Sequence, residues 1–161
     1  MTIALWCLLA AVILPYVWLP VSFGERQKQF GNVDNKQPRS QVAKLEGKGA
    51  RAYAAHQNAF EALAVFAPAV LTAHVAKADP TLSGALAAVW VVCRFLHGVM
   101  YVADIDKARS GMFFLAFLSA IGQFVLAAMA RLSAFRSSSA RSSSRSHLAA
   151  VVGRCMSLYG G

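Results

Sequence analysis

Two apolar stretches of this chain carry side chains able to do chemistry, and both hold them near the middle of the stretch. One contains Arg51, Asn58 and Glu61; the other contains Arg94, His97 and Tyr101. On a helix turning about 100° per residue, the first three fall within about 80° of one another. Arg94, His97 and Tyr101 fall within about 60°, with Asp104 close to the same stripe. A charge at the centre of a helix in lipid costs roughly 2.5 to 3.5 kcal/mol even on lenient scales, so such groups face a bundle interior, pair, and mark working sites. Glu61 lies about 16 Å in from the start of its stretch and Arg94 about 14 Å in from the end of its own, at 1.5 Å per residue. Antiparallel neighbours would set the two level, and the spacing predicts a buried Glu61–Arg94 ion pair. The plainer alternative is a polar core that only ties helices together, at about 0.6 kcal/mol per hydrogen bond. His74, alone on an apolar end, reads as structural. His56 points off the stripe, and Tyr53 sits at headgroup level.

The elements that must position these groups follow from composition. The chain has 161 residues, of which 57% are hydrophobic and only 14% charged. That is too apolar for an ordinary soluble domain and leaves room for about four spans of ~20 residues. The expectation is an all-α integral membrane four-helix bundle over residues 1–133. Its spans run from about Ile3 to Phe23, Lys48 to Ala76, Leu82 to Ala103 and Gly111 to Ala130. Pro15 and Pro20 should bend or end the first helix, and Pro68 should kink the second. Asp79 or Thr81 is the natural N-cap of the third. Residues 24–47 form a long polar connection, and connections of that length are functional or mobile. Residues 136–161, rich in serine and arginine, are expected as a disordered tail.

The formal charge of +9 raises nucleic acid as a partner, but the basic residues sit in connections and in the tail, where membrane proteins carry orientation charge. No nucleic-acid partner is expected. The first stretch lacks a preceding basic residue and a small-x-small cleavage site, so it is read as a retained helix. Cys7, Cys93 and Cys155 are widely separated and show no metal or disulfide spacing. Counting lysine and arginine puts the first connection and the turn between spans three and four in the cytoplasm, with the amino terminus on the other side; Arg131, Arg136, Arg141 and Arg145 weigh against this. A bacterial inner membrane is the expected location.

With the runs Arg51-Ala-Tyr-Ala-Ala-His-Gln-Asn58-Ala-Phe-Glu61 and Arg94-Phe-Leu-His97-Gly-Val-Met-Tyr101 on the second and third spans, the chain resembles the MAPEG family, the membrane-associated proteins in eicosanoid and glutathione metabolism. The resemblance covers residues 1 to about 133. It implies a homotrimer of four-helix protomers binding glutathione between neighbouring subunits near the cytoplasmic face. The glutathione-binding set would be Arg51, Asn58, Glu61, Arg94, His97 and Tyr101, with no metal. Asn58 and Glu61 would hold its amino and amide groups, and Arg94 and His97 its carboxylates. Arg94, Tyr101 and Arg109 would stabilise the thiolate. The implied activity is transfer of glutathione to lipophilic electrophiles, or reduction of lipid hydroperoxides, with the lipophile arriving from the membrane lipids.

The residue types suit that chemistry on their own terms. Arginine grips carboxylates bidentately, and lowering a thiol pKa from about 8.5 by two units takes about 2.7 kcal/mol, within reach of one or two close cations or hydroxyl donors. The chain also departs from the catalytic pattern. Ala54 and Gln57 stand where the catalytic members carry basic residues, and Arg109 is one position out of register. The competing expectation is therefore a non-catalytic trimer that binds a lipid headgroup or a partner protein in the same pocket. Ion or proton transport is the third class; an apolar fourth span and the lack of repeat symmetry count against it.

Overall fold

The computed structural model describes the backbone of residues 1–159 and the side chains of residues 1–137. The expected tail at 136–161 lies outside the fully described residues except for Arg136 and Ser137. The described residues form six α-helices: α1 (Ile3–Ile13), α2 (Leu19–Phe30), α3 (Pro38–Val42), α4 (Gly47–Val75), α5 (Pro80–Val102) and α6 (Asp106–Tyr159). No strand occurs among the described residues. Among the described residues four helical stretches are long and apolar enough to cross a membrane: Ile3–Phe30, Gly47–Val75, Pro80–Val102 and Asp106–Ser137. The chain is an integral, multi-pass four-helix membrane protein.

The prolines act where their chemistry dictates. Pro15 opens a 3-10 segment, Leu14–Trp18, and Pro20 sits in the first turn of α2, where a missing N–H leaves no bond unmade. The first span therefore changes helical pitch but continues seven residues past the expected Phe23, to Phe30, where Gly31 caps it at φ 78°. Pro68 lies within α4, which continues through it. Asp79 caps α5 as its short carboxylate allows, accepting from the N–H of Thr81 at 3.0 Å and of Leu82 at 2.8 Å. The turns into α5 and α6 are tight enough to hold Lys77 and Asp104 at φ 57° and 65°, a region that disfavours residues with a Cβ.

The connection after α2 is built rather than slack. Arg26 is buried, and its guanidinium donates to Gln41 Oε1 from Nε at 2.8 Å and from Nη2 at 2.6 Å, and from Nη2 to the Asp34 carbonyl at 3.2 Å. Gln41 in turn donates to the Asn32 carbonyl and accepts from the Asp34 N–H. One side chain thereby gathers three points of the loop.

Small residues let the spans approach closely, as they must where lipid supplies no hydrophobic drive between helices. Ala4, Ala11, Ala87, Cys93, Ala116 and Ala120 share the core with Phe66 and Trp90, whose rings stack 3.9 Å apart at 8°. Gln123 is fully buried and ties α6 to α5: it accepts from Ser83 Oγ at 2.8 Å and donates to the Ser83 carbonyl at 2.8 Å. Gly98 is required by the buried Trp18, since a Cβ there would run into the indole ring.

Candidate functional site

The two stripes meet because α4 and α5 run side by side. Arg94 is 3% exposed, and its Nη2 crosses to α4, donating to the Asn58 carbonyl at 2.9 Å and to Asn58 Oδ1 at 2.7 Å. Asn58 Nδ2 donates onward to Glu61 Oε2 at 3.2 Å. The asparagine thus stands between cation and anion, one face accepting and the other donating, which an amide can do at once. The expected direct Glu61–Arg94 ion pair is therefore not made. Glu61 is exposed, one helical turn from Asn58, and the shorter side chain reaches the guanidinium first.

This relay leaves Arg94 half used. Its Nε and Nη1 are buried and bond nothing among the described residues, although a buried guanidinium left short of partners costs free energy. Arg94, Asn58 and Glu61 line a cleft of about 230 Å³ between α4, α5 and α6, closed elsewhere by Ala62, Val65, Trp90, Phe113, Ala116, Phe117 and Ala120. The cleft is one cation and two polar groups set in an apolar wall. A ligand with an anionic head and an apolar neighbour is what such a wall accepts.

The remaining expected residues stack toward the α5–α6 turn instead of lining this cleft. His97 is buried with its ring edge-on to Tyr101, centroids 5.7 Å apart. The Arg109 guanidinium sits 4.4 Å over the Tyr101 ring, a cation–π contact that brings α6 onto the end of α5. Arg51 is engaged elsewhere: its Nη1 lies 3.3 Å from Asp104 Oδ2, and its Nε donates to the Val102 carbonyl at 3.3 Å. The structure brings Asn58, Glu61 and Arg94 together in one cleft, stacks His97, Tyr101 and Arg109 beside it, and commits Arg51 to the turn.

Sequence reasoning missed the aromatic wall. Phe113 and Phe117 are four residues apart on α6 with parallel rings 6.3 Å apart, and that i, i+4 spacing in an otherwise featureless apolar span was the available signal. Asp104 stood close to the stripe in the sequence but was given no partner. Its left-handed backbone turns its carboxylate back toward Arg51, which helical spacing does not foresee.

No curated protein and no solved structure matches the chain. The profile of the MAPEG family matches residues 3–129, across all four spans and both stripes, and the chain belongs to the MAPEG family.

Proposed function

We propose that this protein is a membrane-bound, glutathione-dependent transferase or peroxidase acting on lipophilic electrophiles or lipid hydroperoxides. The observation that carries the reading is the buried Arg94 guanidinium, two of whose nitrogens have no partner among the described residues, in a residue lining a cleft that Asn58 and Glu61 share. A carboxylate can accept from a guanidinium nitrogen left without a partner. Glu61, exposed and held only through Asn58, keeps acceptor capacity for an ammonium or amide N–H. The residues present therefore fit glutathione, which has both kinds of group.

When bound, glutathione supplies a thiol whose thiolate is the nucleophile. The chain's part is to hold and to polarise. Arg94 anchors a carboxylate; Tyr101 offers a hydroxyl donor; Arg109, over the Tyr101 ring, supplies positive potential that favours the thiolate and the phenol's donor role. The lipophile reaches the cleft from the bilayer along the wall of Val65, Phe113 and Phe117. A homotrimer fits the exposure of Glu61, since a neighbouring subunit would cover it. The long connection and the α5–α6 turn lie in the cytoplasm in this reading, with the amino terminus opposite, in a bacterial inner membrane.

One observation favours a second reading, a non-catalytic trimer that takes a lipid headgroup or partner in the same cleft. Arg51 is already paired with Asp104, and Ala54 and Gln57 add no cation. Calorimetry with glutathione and conjugation of a chlorinated aromatic test substrate separate the two. Binding with turnover supports the enzyme, and binding of an anionic lipid headgroup with no glutathione affinity supports the alternative.

A further inference from the structure

Asp104 stands where local chemistry favours another residue. It follows the C-cap Ala103 of α5 at φ 65°, in a turn closed by the Asp104 N–H on the Tyr101 carbonyl at 3.3 Å and the Ile105 N–H on the Met100 carbonyl at 2.9 Å. Glycine is the usual residue of such a turn. Aspartate is disfavoured there twice, by its Cβ in the left-handed region and by its charge at the negative end of a helix dipole. The turn itself does not call for a carboxylate. The carboxylate instead meets Arg51 of α4, whose Nη1 lies 3.3 Å from Asp104 Oδ2.

Arg51 is held from two sides, and the two are not equivalent. Its Nε donates to the Val102 carbonyl at 3.3 Å, which keeps the guanidinium beside the end of α5. Its ion pair with Asp104 joins two substantially exposed groups, and such pairs are weak and easily exchanged. Arg51 also shares a face of α4 with Asn58: seven residues return to within about 20° and set the two about 10 Å apart along the axis. Asn58 marks where Arg94 arrives from α5, and Glu61 lies one turn farther from Arg51. Glutathione carries an ammonium and a carboxylate on one carbon at its glutamyl end, a pair that suits Glu61 and Arg94. An extended tripeptide, at about 3.3 to 3.6 Å per residue, then brings its glycine carboxylate about 10 Å away, level with Arg51.

We infer that Asp104 is a built-in competitor for the ligand: its carboxylate and the glycine carboxylate of glutathione contend for the Arg51 guanidinium, and binding exchanges one for the other while the Val102 bond stays in place. The inference rests on the reading of the cleft as a glutathione site and adds to it an autoinhibitory contact that weakens affinity. It ties the effect of Asp104 to one group of the ligand, since a ligand without the second carboxylate has nothing to exchange.

The test is calorimetry on purified full-length protein in detergent at one fixed low salt concentration, with glutathione and with its glycine monoethyl ester, which keeps the thiol, the ammonium and the glutamyl carboxylate. Asp104→Asn should bind glutathione roughly two- to fivefold more tightly than wild type, the range an exposed ion pair allows, and should leave the Kd of the ester unchanged. Asp104→Gly, which suits the turn and also lacks the charge, should do the same. Arg51→Gln should bring glutathione to the affinity of the ester, and adding Asp104→Asn to it should give no gain. An unchanged or weakened glutathione Kd in Asp104→Asn overturns the inference and leaves the cleft as a glutathione site. Equal tightening for both ligands, or a gain that survives Arg51→Gln, overturns it as well. Wild-type protein that binds neither ligand removes the glutathione reading and this inference with it.

Discussion

Replacing Arg94 by methionine separates a ligand site from a polar tie between helices. In the ligand-free protein the guanidinium makes two bonds, both from Nη2 to Asn58, and leaves Nε and Nη1 buried without partners. Hydrogen bonds involving a charged group contribute about 1.5 to 3 kcal/mol each, and each buried nitrogen left unbonded costs about 1 to 3 kcal/mol. The two sides cancel to within a few kcal/mol, and an apolar side chain of similar length removes both. Arg94→Met is thus expected to melt, without ligand, within about 4 °C of wild type, taking roughly 2 to 4 °C per kcal/mol for a chain of this size. The released Asn58 amide keeps Glu61 as a partner. Ligand binding should behave oppositely, because truncating one partner of a buried charged pair costs about 2 to 5 kcal/mol, at least 30-fold in Kd. Thermal melting with and without glutathione reads both quantities from one sample set. A ligand-free loss above about 10 °C would refute the reasoning, since it would mean that the guanidinium stabilises the bundle instead of facing a ligand.

Gly98→Ala should destabilise by about 1 to 3 kcal/mol, because its Cβ would enter the Trp18 ring; Trp18→Leu in the same chain should recover most of the loss in a melting series. Asp104→Asn removes the Arg51 ion pair, whose partners are substantially exposed, so the stability change should stay below about 1 kcal/mol and vanish in high salt. If Arg51 then turns to the ligand, glutathione should bind more tightly by calorimetry, and an unchanged Kd would leave Arg51 to the turn alone. Gln123→Leu leaves the buried Ser83 hydroxyl without its acceptor and should cost about 1 to 3 kcal/mol, most of it regained in Gln123→Leu with Ser83→Ala.

The four spans were legible because a run of apolar residues long enough to cross a membrane has few other uses, and the Asp79 cap because a carboxylate before a Pro-Thr-Leu start has free N–H groups within reach. Asn58, Glu61 and Arg94 were legible as a group because helical spacing fixes which residues share a face. Their pairing was not, since it turns on side-chain reach. Asn58 holds the guanidinium through both its carbonyls, and Glu61 is left outside on the surface. The ends of the elements were misjudged for a related reason. Residues 25–29 are all polar, yet they continue the first helix until Gly31 ends it, and polarity alone does not stop a helix. The knot around Arg26 depends on Gln41, fifteen residues away, beyond the range of any local pattern.

The interposed asparagine also changes how the cleft can work. A direct Glu61–Arg94 pair would have neutralised both groups and left the cleft without net demand for a ligand. With Asn58 between them, the cation on α5 and the anion one helical turn beyond Asn58 on α4 remain separately available, and a ligand with both an anionic and a cationic group can engage each without first breaking an ion pair. Asn58→Asp tests this. A carboxylate at that position would pair with Arg94 directly and repel Glu61, so the ligand-free protein should hold the guanidinium more firmly while its affinity for glutathione falls. Undiminished affinity in Asn58→Asp would show that Arg94 does not meet the ligand's carboxylate, and the cleft would then have to be read from its aromatic wall alone.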